Sequence, residues 1–403
     1  MKTKLRHYGF TIIELLVVVS IIGLLLSLLI PAVGKARESA LTTQSLANLR
    51  NMSSACASYG ADWTDRQPTY MYDEFAQHIT ALGPNATTEY QSKTGSCPPS
   101  LIVGWGGYVN CNAQRNSVGI WAYWTPCDAA TVGKSANYCM SLPFLMSGQG
   151  WGGASYATSD GYGAWRYPNA RNFSQYISNR YYDKVFYAPK DKYSMELAQP
   201  AFESPDDFVS IGCNGGSVDS TYCFSPAAMF SPDAFSHKNG CLSFAGKGLP
   251  PAIFRSPSVG QASFPDLKTR MIEHSWLQNK EGPDFNPKFG DIPYFFNQCI
   301  NSSPATLFFD GHCSLSGCND SMDANARVTA DKVESNSTDK EKGLFASSTL
   351  EVLPGPWGRT YGGYFTGPDG KDGANFNYDT QVNTSFHVFT VDGILGRDFV
   401  SAK

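Results

Sequence analysis

The first apolar run of the chain is interrupted once. From Phe10 to Ile30, 21 residues, every side chain is apolar or small except Glu14. That length suffices for one helical crossing of a bilayer. A carboxylate costs ~2.5–3.5 kcal/mol at the centre of such a span and less near its edge, so Glu14 demands an explanation. Beyond Pro31 the pattern turns amphipathic. Val33, Ala36, Ala40, Leu46, Ala47, Leu49 and Cys56 recur at spacings of three, four and seven, with Lys35, Arg37, Glu38 and Arg50 elsewhere. This predicts a single helix from Phe10 to about Tyr59, some 75 Å long at ~1.5 Å per residue. Gly60 is its expected stop.

After Trp63 the pattern changes again. Stretches such as GWGGYVNCN (104–112) and GRTYGGYFTGPDGKDG (358–373) read as loops. Apolar runs with strand character lie at 100–105, 177–189, 206–213, 240–246, 269–276, 293–299, 305–311, 312–317 and 385–393. Residues 71–83 read as a short helix, with Phe75, Ile79 and Leu82 on one face. The pattern therefore predicts an α+β chain. A long N-terminal transmembrane helix precedes a mostly antiparallel β head with large loop insertions.

Composition agrees with that outline. Charged residues make up only 16% of the chain, against about 25% in ordinary globular domains. Glycine (38), proline (24), tyrosine (21) and phenylalanine (25) fill the difference, which suits short strands and long loops. The net charge of −4 argues against nucleic acid as a partner, since phosphate binding needs a basic patch. Eleven cysteines are scattered without zinc-type spacing. In an exported protein they read as disulfides, with Cys213–Cys223 and Cys313–Cys318 as local pairs and Cys56 as the thiol left over; buried thiols are the competing reading.

Lys2, Lys4 and Arg6 precede the apolar run and keep that end cytoplasmic. The run is longer than a secretory signal and lacks a good cleavage site after it. The stretch GFTIIELLVVVSIIG (9–23) resembles the class III signal of type IV pilins and type II secretion pseudopilins. The resemblance implies cleavage between Gly9 and Phe10 by a prepilin peptidase, then N-methylation of Phe10. It makes Glu14 the fifth mature residue, the family's acidic position, and places Pro31 where the family often carries a helix-kinking proline. Glu14 would pair with the Phe10 ammonium of a neighbouring subunit and so favour assembly. The passage from Lys35 to Pro68 and the strand from Pro265 to Trp276 resemble large pilin-like proteins abundant in planctomycetes, many of which carry cysteine at the place of Ser45. Their His-x9-Asp-Gly motif is only partly present: Asp310, Gly311 and His312 stand at its end, and Ile300 stands where its histidine belongs.

The resulting organisation is a leader at 1–9, a helix at 10–62 with 10–30 in the membrane, and a pilin-like head at 63–403. C-terminal strands are expected at about 269–317 and 385–400. The expected role is a structural subunit of a type IV pilus-like fibre or type II secretion pseudopilus. Its partners would be prepilin peptidase, like subunits and the inner membrane. The head would lie in the periplasm first and on the pseudopilus or cell surface after assembly. An alternative is a pilin-anchored glycan-binding protein that uses aromatic faces such as Trp105, Trp121, Trp124, Trp151 and Trp165. A surface hydrolase is the weakest reading. It would need Glu273-His274 and Asp310-Gly311-His312 to meet, whereas Asp310-Gly311 reads first as a hairpin turn. No cofactor is expected, and calcium is considered only at Asp369, Asp372, Asn375 and Asp379, whose spacing is not that of an EF-hand.

Overall fold

The structure is a computed structural model. It describes residues 11–68, 102–109, 116–122, 168–169, 171–203, 220–235, 255–273, 303–334 and 390–401, with the short pieces 77–78, 80, 89, 92–95 and 343–344. The chain divides into two units, Met1–Gln44 and Ser45–Lys403. Helix α1 (Ile12–Asp62) contributes to both.

In the first unit α1 is apolar and open. The large side chains from Ile12 to Val33 are all exposed. The two serines in this stretch return their hydroxyls to the helix, Ser20 to the Leu16 carbonyl and Ser27 to that of Leu24. Their polar groups are thus satisfied without water. The helix continues through Pro31, and it is long and apolar enough to cross a membrane.

The second unit holds a separate antiparallel ribbon of β1 (Ile102–Val109) and β2 (Asn116–Ala122) and a four-stranded antiparallel sheet in the order β3 (Tyr222–Phe224), β4 (Thr269–Glu273), β5 (Ala305–Phe308), β6 (Cys313–Leu315). Strands β3, β4 and β5 are buried throughout, because both faces of the sheet are covered. Side chains alternate between those faces. Glu273 and its register partner Tyr222 face α1, where both bond Ser45. Ile272 faces the opposite way and packs with Ala324, Leu344, Val328, Phe399 and Val400. Ala324 and Val328 come from α3 (Cys318–Glu334), a helix with no counterpart in the sequence reading. The other long helix that reading missed is α2 (Lys192–Phe202), capped by Asp191, whose carboxylate accepts the Ser194 N–H.

The end of α1 is sharp. Thr64 and Asp65 adopt left-handed backbone (φ 53 and 60), and the Asp65 N–H returns to the Gly60 carbonyl. Asp65 then accepts from the Ser258 hydroxyl and the Gly260 N–H, and its carbonyl accepts from Val259. The turn is therefore clasped by the short helix Val259–Gln261.

Several sequence expectations are corrected here. Residues 177–189 form no strand. Asn179 is left-handed (φ 56), and Asp183 caps a single 3-10 turn at Lys184–Phe186 by accepting the Val185 N–H. Local side-chain bonds there outcompete the ladder that the aromatic run suggested. Of the strand expected at 100–105, Ile102–Trp105 lies in β1, which runs on through Gly106–Val109, read as loop. Residues 390–401, part of the expected 385–400 strands, hold a turn and the 3-10 helix Gly393–Leu395 instead. The expected inward stripe of α1 is shifted: Leu49 and Cys56 are buried, but with Ser45, Met52 and Tyr59, while Val33, Ala36, Ala40 and Ala47 are exposed.

The local disulfides are corrected as well, since Cys223 and Cys313 are thiols; Cys56 is a thiol, as expected. Beyond Cys313 the chain stays extended through Ser316, whose N–H reaches the Pro304 carbonyl. Cys223 and Cys313 lie at opposite edges of the sheet and on opposite faces. Burial raises the Cys56 and Cys313 thiol pKa values, which makes both poor nucleophiles. The strands expected at 206–213, 240–246 and 293–299, and most of the helix at 71–83, lie outside the described residues.

Candidate functional site

Gly9 and Phe10 lie outside the described residues, and the chain beside them is well defined. Thr11 begins α1 as its N-cap. The Glu14 N–H donates to the Thr11 hydroxyl oxygen at 3.2 Å, and Glu14 Oε2 accepts from both the Thr11 N–H and the Thr11 hydroxyl at 2.8 Å. This is a capping box: each side chain satisfies the other's backbone at the helix start. The sequence T-I-I-E carries the signature in plain view, and the sequence reading did not use it. Both bonds fall on one carboxylate oxygen. Oε1 carries none among the described residues, and Glu14 sits at the positive end of the helix dipole. Chemically, the box holds a carboxylate in place at the helix tip and leaves one oxygen for an additional donor.

Further along α1, a second polar group is built inside the head. Ser45, Tyr222 and Glu273 are buried. Ser45 donates to Glu273 Oε1 at 2.8 Å. Its single proton is then used, so at the 2.8 Å contact between the two hydroxyls Tyr222 donates and Ser45 accepts. Asn48 donates in turn to the Tyr222 hydroxyl at 3.3 Å. Glu273 Oε2 accepts the Ala305 N–H. The relay runs Asn48, Tyr222, Ser45, Glu273, and it pins α1 to three strands. Burial, followed by the Glu273 charge, pushes the Tyr222 pKa far up, so the phenol keeps the proton it donates. Glu273 is thereby committed to structure.

The structure separates the residues of the hydrolase reading. Glu273 and Asp310 lie at opposite ends of the sheet, because β4 and β5 are antiparallel and Thr269, not Glu273, pairs with Phe308. His274 is outside the described residues. Asp310-Gly311 forms the tight turn between β5 and β6: the Phe308 N–H bonds the His312 carbonyl, the Gly311 N–H bonds the Phe308 carbonyl, and Gly311 has φ 88. Asp310 caps this turn by accepting the His312 N–H at 3.0 Å and contacts His312 Nδ1 at 2.6 Å, while the imidazole stacks on Phe308 at 4.2 Å. Asp392 also forms a turn, with φ 62, but it leads into a 3-10 helix and not a hairpin.

Of the expected aromatic platform, Trp105 and Trp121 lie on the β1–β2 ribbon, and Trp124, Trp151 and Trp165 are outside the described residues. The calcium candidates Asp369, Asp372, Asn375 and Asp379 are outside them too. Among the described residues no group of three metal-ligating side chains converges.

Comparison with known proteins singles out the same segment. No curated protein and no solved structure matches the chain. Residues 4–30 match the prokaryotic N-terminal methylation motif. That match spans the end of the basic leader from Lys4, then Gly9, Phe10, the Thr11–Glu14 box and the apolar part of α1 up to Ile30. The motif implies processing by a prepilin peptidase and assembly with other pilin subunits. The chain carries the prepilin-type signature at its N-terminal segment, and this supports a type IV pilin-like or pseudopilin subunit.

Proposed function

We propose that this chain is a membrane-inserted structural subunit of a pilus-like or pseudopilus fibre. It is cut after Gly9, methylated on Phe10, and assembled through α1. The observation that carries the reading is the capped carboxylate of Glu14 within a segment matching the methylation motif. Cleavage creates a new ammonium at Phe10. A neighbouring helix brings its Phe10 ammonium to the open oxygen of Glu14, and the pair forms in an apolar surround where charge–charge attraction is strong. The exposed apolar side chains from Ile12 to Val33 exchange lipid for neighbouring helices. In this reading Thr11 is a positioning residue. It keeps the carboxylate satisfied while the subunit waits in the bilayer and aims it once a partner arrives.

Mass spectrometry of the mature N-terminus tests the processing. N-methyl-Phe10 is the expected first residue; a start at Met1 or beyond Ile30 would overturn the reading. Glu14→Ala tests the assembly. It should leave membrane insertion intact and lower the amount of fibre, and unchanged assembly would remove the role given to Glu14.

A further inference from the structure

Lys268 and Asp398 form an ion pair with both side chains 0% exposed. Every donor and acceptor in it is used. The Lys268 ammonium donates to Asp398 Oδ2 and Thr390 Oγ1, each at 2.8 Å, and to Ser225 Oγ at 3.0 Å. Asp398 Oδ2 also accepts the Thr269 N–H and hydroxyl, and Oδ1 accepts the Thr390 hydroxyl. The backbone follows the same path: the Asp398 N–H bonds the Leu267 carbonyl, the Val391 N–H bonds that of Leu344, and Ser321 donates to the Asp398 carbonyl. The segment also enters two separate apolar clusters. Ile394 packs with Ala228 and Phe309, and Phe399 and Val400 pack with Ile272, Ala324 and Leu344. One stretch of eleven residues thus supplies apolar side chains to both clusters and the counter-charge for Lys268, 130 positions earlier in the chain.

We propose that residues 390–400 are a latch that closes the head only after this late segment has been delivered. Until then Lys268, just before inner strand β4, has no counter-ion and cannot be buried without loss. The sheet stays open, both clusters stay incomplete, and the head remains loose while the preceding residues are made and moved. The device rests on the head's own contacts and stands apart from the assembly role of Glu14, so either can fail without the other.

Limited proteolysis of the detergent-solubilised chain tests it. Chains stopped after Phe389, after Gly396 and after Ser401 are compared with the full chain. The chain ending at Ser401 should keep a protease-resistant head, and the two shorter chains should lose it, with cleavage about tenfold faster or more. Asp398→Ala in the full chain should behave like the chain ending at Gly396. Adding Lys268→Met to Asp398→Ala should restore resistance, because it removes the stranded ammonium. A chain ending at Phe389 that resists as well as the full chain overturns the latch. Full resistance of Asp398→Ala alone overturns the part given to the ion pair.

Discussion

Three carboxylates in this chain show how one side-chain type serves different ends. Glu14 caps its own helix start through Thr11. Glu273 receives the end of a hydroxyl relay from α1. Asp398 neutralises a buried lysine. Removing Ser45 breaks the relay in the middle. Ser45→Ala deprives Glu273 of a donor and Tyr222 of an acceptor, and thermal unfolding should report a loss of about 1–3 kcal/mol. Asp398 makes the head acid-sensitive. Burial alone would raise its pKa, but the Lys268 ammonium and the hydrogen bonds from Lys268, Thr269 and Thr390 outweigh burial and hold it low. Its stabilisation is therefore fully present above the unfolded value of about 3.9 and is lost as pH falls through the lower folded value. Denaturation midpoints measured across the acid range should drop below about pH 4. The Lys268→Met/Asp398→Leu double variant should flatten that part of the drop.

At the scale of elements, the helix was legible and its inward face was not. The apolar run from Phe10 to Ile30 and the proline-free amphipathic stretch between Pro31 and Gly60 announce α1. The buried stripe, however, is Ser45, Leu49, Met52, Ala55, Cys56, Tyr59 and Gly60, headed by a polar residue whose partners lie on β3 and β4. The expected stripe grouped Val33, Ala36, Ala40 and Ala47 with Leu49 and Cys56, and those four are exposed. The two assignments predict different mutants. Met52→Ala should cost the head about 2–5 kcal/mol in chemical denaturation, by opening a cavity. Ala47→Ser on the exposed side should stay within about 0.5 kcal/mol. The β5–β6 hairpin was readable because Asp310-Gly311 encodes its turn locally. The segment 177–189 was misread because its buried aromatics look like a strand, while Asn179 and Asp183 bend the backbone.

For the whole molecule, the cysteine count gave the wrong picture at Cys223 and Cys313 and the right one at Cys56. Alkylation of the unfolded, unreduced protein followed by peptide mapping should find Cys56, Cys223 and Cys313 as thiols. A disulfide between Cys223 and Cys313 would contradict the sheet geometry, which sets them at opposite edges and on opposite faces. The sequence by itself determined the signature at residues 4–30, the long helix and the hairpin turn, because each is written in neighbouring residues and needs no distant partner. Only the tertiary structure decided the burial of Lys268 against Asp398, the seat of Ser45, and the joining of two clusters by residues 390–400. Those depend on residues more than a hundred positions apart, whose energies exist only once the chain has brought them into contact.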